Sequence, residues 1–264
     1  MYNCIELSFK IVYTYIILGI VPNSNFSQHT KPLTTNTTKE VKTLLNATNI
    51  TKSYKNHKVL DSINLTASAG ESVVIIGRNG EGKSTFLSIL AGYLRADSGT
   101  VELNGCGVAF CPQHDNLFEE LSVRDNLLFW ARAKGSSAEP ESMDYTTLLG
   151  VNEYMHKKVR HLSGGMKKCV AILCALSGGA DILILDEPFS GLDIVYKDVL
   201  LKTFDELKTM GKCIIYTSHN IDEITGLDSR IYALSSGKLN PIHSTEKDSD
   251  YNLLRASFLE HSKS

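Results

Sequence analysis

Gly77-Arg-Asn-Gly-Glu-Gly-Lys-Ser84 fits the phosphate-loop pattern GxxxxGK[ST] at every fixed position. At ordinary residue frequencies such a match arises by chance in about one chain of this length in a hundred. Its surroundings have the required order. Ser72-Val-Val-Ile-Ile76 ahead of it is a short, β-branched apolar run that reads as a buried strand, and within Thr85 to Leu94 the apolar residues Phe86, Leu87, Leu90, Ala91 and Leu94 fall at helical spacing. Gly77, Gly80 and Gly82 let the backbone N–H groups of the loop, with Arg78, Asn79 and Glu81, turn inward around phosphates, and the helix that carries Thr85 presents its positive end. Lys83 is expected to reach the β- and γ-oxygens and Ser84 to offer a hydroxyl to Mg²⁺. The chain is therefore expected to bind a nucleoside triphosphate.

The 264 residues are 42% hydrophobic and 21% charged, which suits one globular domain, or one domain with a smaller insert plus a tail. A net charge of −2 gives no electrostatic case for a nucleic-acid partner. Cys4, Cys106, Cys111, Cys169, Cys174 and Cys213 show neither a CxxC pair nor zinc-type spacing, so they read as reduced, mostly small core residues. At the N-terminus, Ile11 to Val21 is apolar but short of the roughly 20 residues a spanning helix needs. It reads as the exit of a membrane segment or a surface anchor, with a signal-like leader or a misassigned start as alternatives. Pro22 to Lys42, rich in Thr, Asn and Ser, reads as a linker.

From Leu45 the pattern is α/β. Leu45–Tyr54, Ile63–Ala67, Thr100–Leu103 and Val108–Phe110 are expected as strands of a small antiparallel layer, with a turn at Asn104-Gly105. A helical insert follows: Ser122–Lys134, capped by Ser122 and ended by Gly135, a shorter helix over Ser142–Leu149, and a third from Gly164. Asp181–Leu185 and Lys212–Thr217 restore the parallel-sheet signal, joined by a helix from Tyr196 to Met210. The expected organisation is an N-terminal segment and linker over 1–44, a catalytic unit over 45–240 with its helical insert at about 114–178, and a tail over 241–264.

Ile182-Leu-Ile-Leu-Asp-Glu-Pro188 is an apolar strand ending in two acids, which sets carboxylates at the carboxyl edge of a sheet beside the glycine loop. By position Asp186 is expected to hold Mg²⁺, and Glu187 to orient and deprotonate an attacking water.

Leu162-Ser-Gly-Gly-Met166 resembles the signature of the ATP-binding-cassette (ABC) ATPases, and the resemblance runs from about Asn49 to Lys238. It implies a P-loop NTPase fold of the α/β class, with a mainly parallel core sheet, a small antiparallel β layer and an inserted helical subdomain. It also implies ATP and Mg²⁺ as ligands. Ser163, Gly164 and Gly165 would face the γ-phosphate held by a second such domain. Tyr54 would stack on adenine, Gln113 would reach Mg²⁺ and sense a membrane domain, and Ser190-Gly-Leu-Asp193 would touch the second ATPase unit. His219 would sense the γ-phosphate. Cys111-Pro-Gln-His-Asp-Asn-Leu-Phe118, Lys158–Lys168 and Thr217–Glu223 are most similar to the A subfamily, the lipid-exporter type. Glu81 departs from the small residue usual there, and Ile194 from a common proline.

The implied activity is ATP hydrolysis at the cytosolic face of a membrane, in a homo- or heterodimer of ATPase domains docked on a transmembrane domain through the helical insert and the Gln113 loop. Two other readings stay open: a soluble ABC ATPase of translation or DNA maintenance, and a regulatory paralogue that binds ATP without efficient turnover. Lys167 and Lys168 are expected on a solvated helix face. The N-x-[ST] sequons at Asn46, Asn49 and Asn64 fall inside the ATPase unit and are expected to be unused, whereas Asn25 and Asn36 precede it.

Overall fold

The computed structural model describes residues 42–140, 145–218 and 228–242. The chain divides into a unit over Met1–Glu40, which lies outside the described residues, and a unit over Val41–Ser264. In the second unit the strands are β1 (Thr43–Tyr54), β2 (His57–Ser68), β3 (Ser72–Ile76), β4 (Ser98–Glu102), β5 (Val108–Cys111), β6 (Ile182–Leu185), β7 (Cys213–Ser218), β8 (Arg230–Ser235) and β9 (Lys238–Ile242). The helices are α1 (Lys83–Leu90), α2 (Val123–Ala133), α3 (Tyr145–Leu148), α4 (Gly164–Leu176) and α5 (Ile194–Thr209).

These strands form two sheets. One is antiparallel in the order β2-β1-β4, and the other runs β5-β6-β7-β3-β8-β9, parallel except for β9. The central strands β3, β6 and β7 are buried at every position, as apolar runs covered on both faces must be. Strand periodicity then divides each run between two cores. Val73, Ile75, Ile182, Ile184, Cys213 and Ile215 pack with α1 and the antiparallel sheet, whereas Val74, Ile76, Leu183, Leu185, Ile214 and Tyr216 pack with α4, α5 and the helical insert.

One expected strand changes sheets. Val108–Cys111 is not part of the antiparallel layer; it pairs in parallel with β6, Ala109 opposite Leu183 and Cys111 opposite Leu185. Asn104 and Gly105, both at positive φ, form the turn after β4, and the chain then passes from one sheet to the other. β2 is also longer than Ile63–Ala67, because in its first half buried Leu60 and half-buried Val59 stand among exposed or half-buried polar residues, including Lys58 and Asp61, which break the apolar signal.

The insert is organised by polar clips. Ser122 caps α2 by accepting from the Asp125 N–H, and Gly135 follows at positive φ. Fully buried Asn126 holds the loop after Gln113: its Oδ1 accepts from the Phe118 N–H at 2.8 Å and its Nδ2 donates to the Phe118 carbonyl at 3.1 Å. Of the expected Ser142–Leu149 helix, Tyr145–Leu148 is helical and 141–144 lie outside the described residues.

Lys168 corrects another expectation. It is 6% exposed, not solvated, and its ammonium meets Asp115 Oδ1 at 2.8 Å and the Gln113 carbonyl at 3.2 Å. A buried ammonium needs such partners, so α4 is tied to the Gln113 loop. Lys167 stays at the surface and pairs with Glu119.

Candidate functional site

The site lies at the carboxyl edge of the parallel strands, where ligands of open α/β sheets bind. β3 delivers the glycine loop, and α1 starts behind it with Gly82 as N-cap at φ 98 and no side-chain cap. A side chain at 82 would be strained at that φ, and its Cβ would lie 2.5 Å from Val59 Cγ1. The first N–H groups of α1 are thus left for an anion.

Lys83 is 5% exposed, and its ammonium donates to the carbonyls of Gly77 at 2.8 Å and Arg78 at 3.2 Å. Burial pulls its pKa below the ordinary lysine range, against the opposing pull of Glu187, Asp186 and Glu81. Glu187 Oε1 stands 3.9 Å from this ammonium, so the loop lysine and the second acid, more than a hundred residues apart in the chain, meet.

The two acids are held by β7. The Thr217 hydroxyl donates to Asp186 Oδ1 at 2.6 Å and accepts the Glu187 N–H at 2.9 Å. The Asp186 N–H donates to the Cys111 carbonyl on β5. Glu187 has φ 48, a left-handed conformation that few side chains adopt and that functional sites retain. Gln113 Nε2 donates to Glu187 Oε2 at 3.1 Å, so the loop after β5 reaches the same carboxylate. Below it, Phe189, Phe204 and Tyr216 pack with ring centroids 5.6 to 5.9 Å apart.

Thr217 joins the site although its sequence assigns it no role there, only a place at the end of the Lys212–Thr217 strand and the start of the Thr217–Glu223 segment. Its signal was a hydroxyl near the carboxyl end of an otherwise apolar run. Ser84 is exposed at the start of α1 and Thr85 is half-buried. Arg78, Asn79 and Gly80 are exposed on the loop, and the Glu81 carboxylate accepts from the Ser236 N–H at 2.7 Å. The Tyr54 ring, at the end of β1, is 48% exposed and carries Lys52 Nζ 5.8 Å from its centroid. His219 lies outside the described residues.

The Ser-Gly-Gly segment is at the start of α4. Ser163 is the N-cap and accepts from the Met166 N–H; Ser163 and Gly164 are exposed and Gly165 is buried. A Cβ on Gly165 would lie 2.3 Å from the Tyr196 ring, so only glycine lets α4 sit this close to α5. Asp193 caps α5 by accepting the N–H groups of Val195 and Tyr196, which leaves Ile194 82% exposed beside Ser190-Gly-Leu-Asp193. A glycine cradle with a buried lysine after β3, two acids after β6, with β7 between those strands, and a helix start exposed at Ser163 and Gly164 therefore lie on one chain.

The ABC transporter sequence profile matches residues 60–190. An uncharacterized ABC transporter ATP-binding protein of Methanocaldococcus jannaschii is 37% identical over 193 residues, covering 72% of this chain and 73% of that protein. The chain belongs to the ABC transporter family, as one of its ATP-binding domains. A-subfamily members are among its relatives: the retinal-specific phospholipid-transporting ATPase of Homo sapiens is 34% identical over 198 residues, which cover 68% of this chain and 8% of that much longer protein. A solved ATP-binding subunit of an ABC transporter superposes with a TM-score of 0.72 at 27% identity, covering 83% of this chain and all (100%) of that one. The two-sheet architecture with its helical insert is thus that of an ABC ATP-binding domain. Among the described residues no helix is long and apolar enough to cross a membrane.

Proposed function

We propose that this ABC domain hydrolyses ATP as its Mg²⁺ complex, paired with a second ATPase domain, to power transport across a membrane. The observation that carries this reading is the meeting of Lys83 with Glu187 at 3.9 Å, with Asp186 beside them at the strand end. The uncapped start of α1 and the buried Lys83 ammonium suit a polyphosphate. Lys83 and the amides of Gly80–Ser84 would hold the phosphates, and Ser84, Asp186 and Gln113 would hold Mg²⁺. That ion, when bound, offsets phosphate charge. Glu187 accepts the proton of a water, Gln113 orients its carboxylate, and Thr217 keeps both acids in place. Tyr54 offers its exposed face to adenine, and His219 is assigned to the γ-phosphate.

Ser163 and Gly164 are exposed and so free to cap a nucleotide held by a partner domain, homo- or heterodimeric. The helical insert at about 114–178, with the Gln113 loop, is assigned to docking on a transmembrane domain, with the chain at the cytosolic face of the membrane. The kinship with a phospholipid-transporting ATPase makes a lipid the proposed cargo. Glu81 favours a second reading, a regulatory subunit without efficient turnover, because it puts a carboxylate in the phosphate loop. Phosphate release by the purified chain with its partner domain separates the two. Glu187→Gln should keep ATP binding and cut turnover by about 10²- to 10⁴-fold. Equal turnover in both proteins removes the role given to Glu187, and none in either favours the regulatory reading.

A further inference from the structure

Glu81 puts a carboxylate in the phosphate loop, and that carboxylate has a specific partner. Glu81 Oε2 accepts from the Ser236 backbone N–H at 2.7 Å, across 155 positions of sequence. Ser236 and Gly237 are the two central residues of the β8–β9 turn, at φ 50 and φ 75, and Ser235 and Lys238 close the ladder. In such a turn the first central N–H points away from the ladder and is open to an outside acceptor.

The turn is anchored from its other side as well. The Gly237 carbonyl accepts from the Asp61 N–H at 2.8 Å, and the Lys238 ammonium meets Asp61 Oδ2 at 2.7 Å and the Asp61 carbonyl at 3.1 Å. Lys58 pairs with the second oxygen of Asp61 at 3.1 Å. The anchor point for Glu81 is therefore a short hairpin turn fixed to β2. Glu81 also lies close enough to Lys83 to favour its charged form, so this carboxylate is within electrostatic reach of the cradle.

We propose that Glu81 is a positioning residue: the Ser236 amide holds its carboxylate on the β8–β9 turn, which fixes the glycine loop to that turn and keeps a negative charge off the phosphates. The proposal rests on the reading of the loop as a triphosphate cradle. A loop glutamate left unheld would repel the ligand, whereas the same charge held by an amide does not enter the cradle. The β8–β9 turn thereby sets the nucleotide affinity of a site it does not line.

Three substitutions in the full chain test this through two readouts, amide hydrogen exchange at Ser236 without nucleotide and ATP·Mg²⁺ affinity by calorimetry. Glu81→Asp keeps the charge but is shorter by one bond, about 1.5 Å, and loses the amide. It is expected to speed Ser236 exchange and to weaken ATP binding about tenfold, by bringing a free carboxylate toward the phosphates. Glu81→Gln keeps an acceptor and is expected to recover both losses. Glu81→Ala removes the hold and the charge together, and is expected to show fast exchange with an affinity above that of Glu81→Asp, because no carboxylate is brought toward the phosphates. Slow Ser236 exchange in Glu81→Asp, or parent-like affinity in that variant, overturns the assignment to Glu81 alone. A parent chain that binds no ATP overturns the reading of the loop, and this proposal with it.

Discussion

Two helices of this domain begin beside candidate phosphate positions, and they begin differently. α1 starts behind Gly82, which lends no side chain to the helix end, and its first residue is the buried Lys83. α4 starts behind Ser163, whose hydroxyl already accepts the Met166 N–H, and its first turn is open to solvent at Gly164. The first start is surrounded by groups of the same chain, among them Glu187 and the Gly77 and Arg78 carbonyls. The second is organised by its own cap, by the packing of Gly165 on Tyr196, and by the ties of Lys167 to Glu119 and of Lys168 to Asp115. A helix end that is uncapped and enclosed is suited to keep a ligand, whereas one that is capped and open is suited to meet a ligand brought by another molecule.

Substitution at the two starts should break this contrast most sharply. Lys83→Ala removes a buried charge from the enclosed site and should weaken ATP binding by about 100-fold or more, some 3 kcal/mol, measured by calorimetry. Ser163→Ala should cost only about 1 kcal/mol of stability through the lost cap, and leave single-chain ATP affinity in place while lowering turnover in the paired form. Equal losses of affinity in the two variants would erase the distinction.

A smaller effect sharpens it. Lys168 fastens α4 to the Gln113 loop, so Lys168→Met strands Asp115. The expected loss is about 2 kcal/mol, less than for a fully buried pair because Asp115 retains some solvent, and it is read from urea denaturation.

The smallest effect asks whether the two starts belong to one cooperative unit. Burial raises the thiols of Cys169 on α4 and Cys213 on β7 to about 12, from an ordinary value of 9.0. Above pH 9 the unfolded chain releases these protons first, so stability is unaffected by them at lower pH and falls as pH rises from about 9 toward 12. The loss is about 1 kcal/mol per thiol at pH 10. Cys169→Ala and Cys213→Ala should each flatten the alkaline fall of stability to a similar degree, followed by denaturation at pH 8 and pH 10. A change in one variant alone would divide the domain in two.

The parts of this fold that were legible in the sequence are those in which one residue type answers to one local cause. β3, β6 and β7 were readable because burial on both faces demands unbroken apolar runs, and the cap at Ser122 because a hydroxyl there meets the Asp125 amide. β5 was placed in the wrong sheet because its partner β6 lies some seventy positions away and a four-residue apolar strand does not name its neighbour. The burial of Lys168 depends on Asp115, 53 positions off, and the contact of Glu81 with Ser236 spans 155. At the site the motifs named Lys83, Asp186 and Glu187 as types and order. The positive φ of Glu187 and its hydrogen bond from Gln113 arise from tertiary packing and have no local signal.

Thr217 has a consequence beyond its own contacts. Because its oxygen receives the amide of one acid while its hydrogen goes to the other, the orientation of that hydroxyl is dictated and the ends of β6 and β7 are stitched at a single atom. Any displacement of β7, whose next residue is His219, must drag both acids or cut that stitch. Valine has the right shape and asparagine the right polarity, yet only Ser or Thr carries one atom that gives and takes at that reach. A position that carries no charge of its own is thereby restricted as tightly as the two acids it serves.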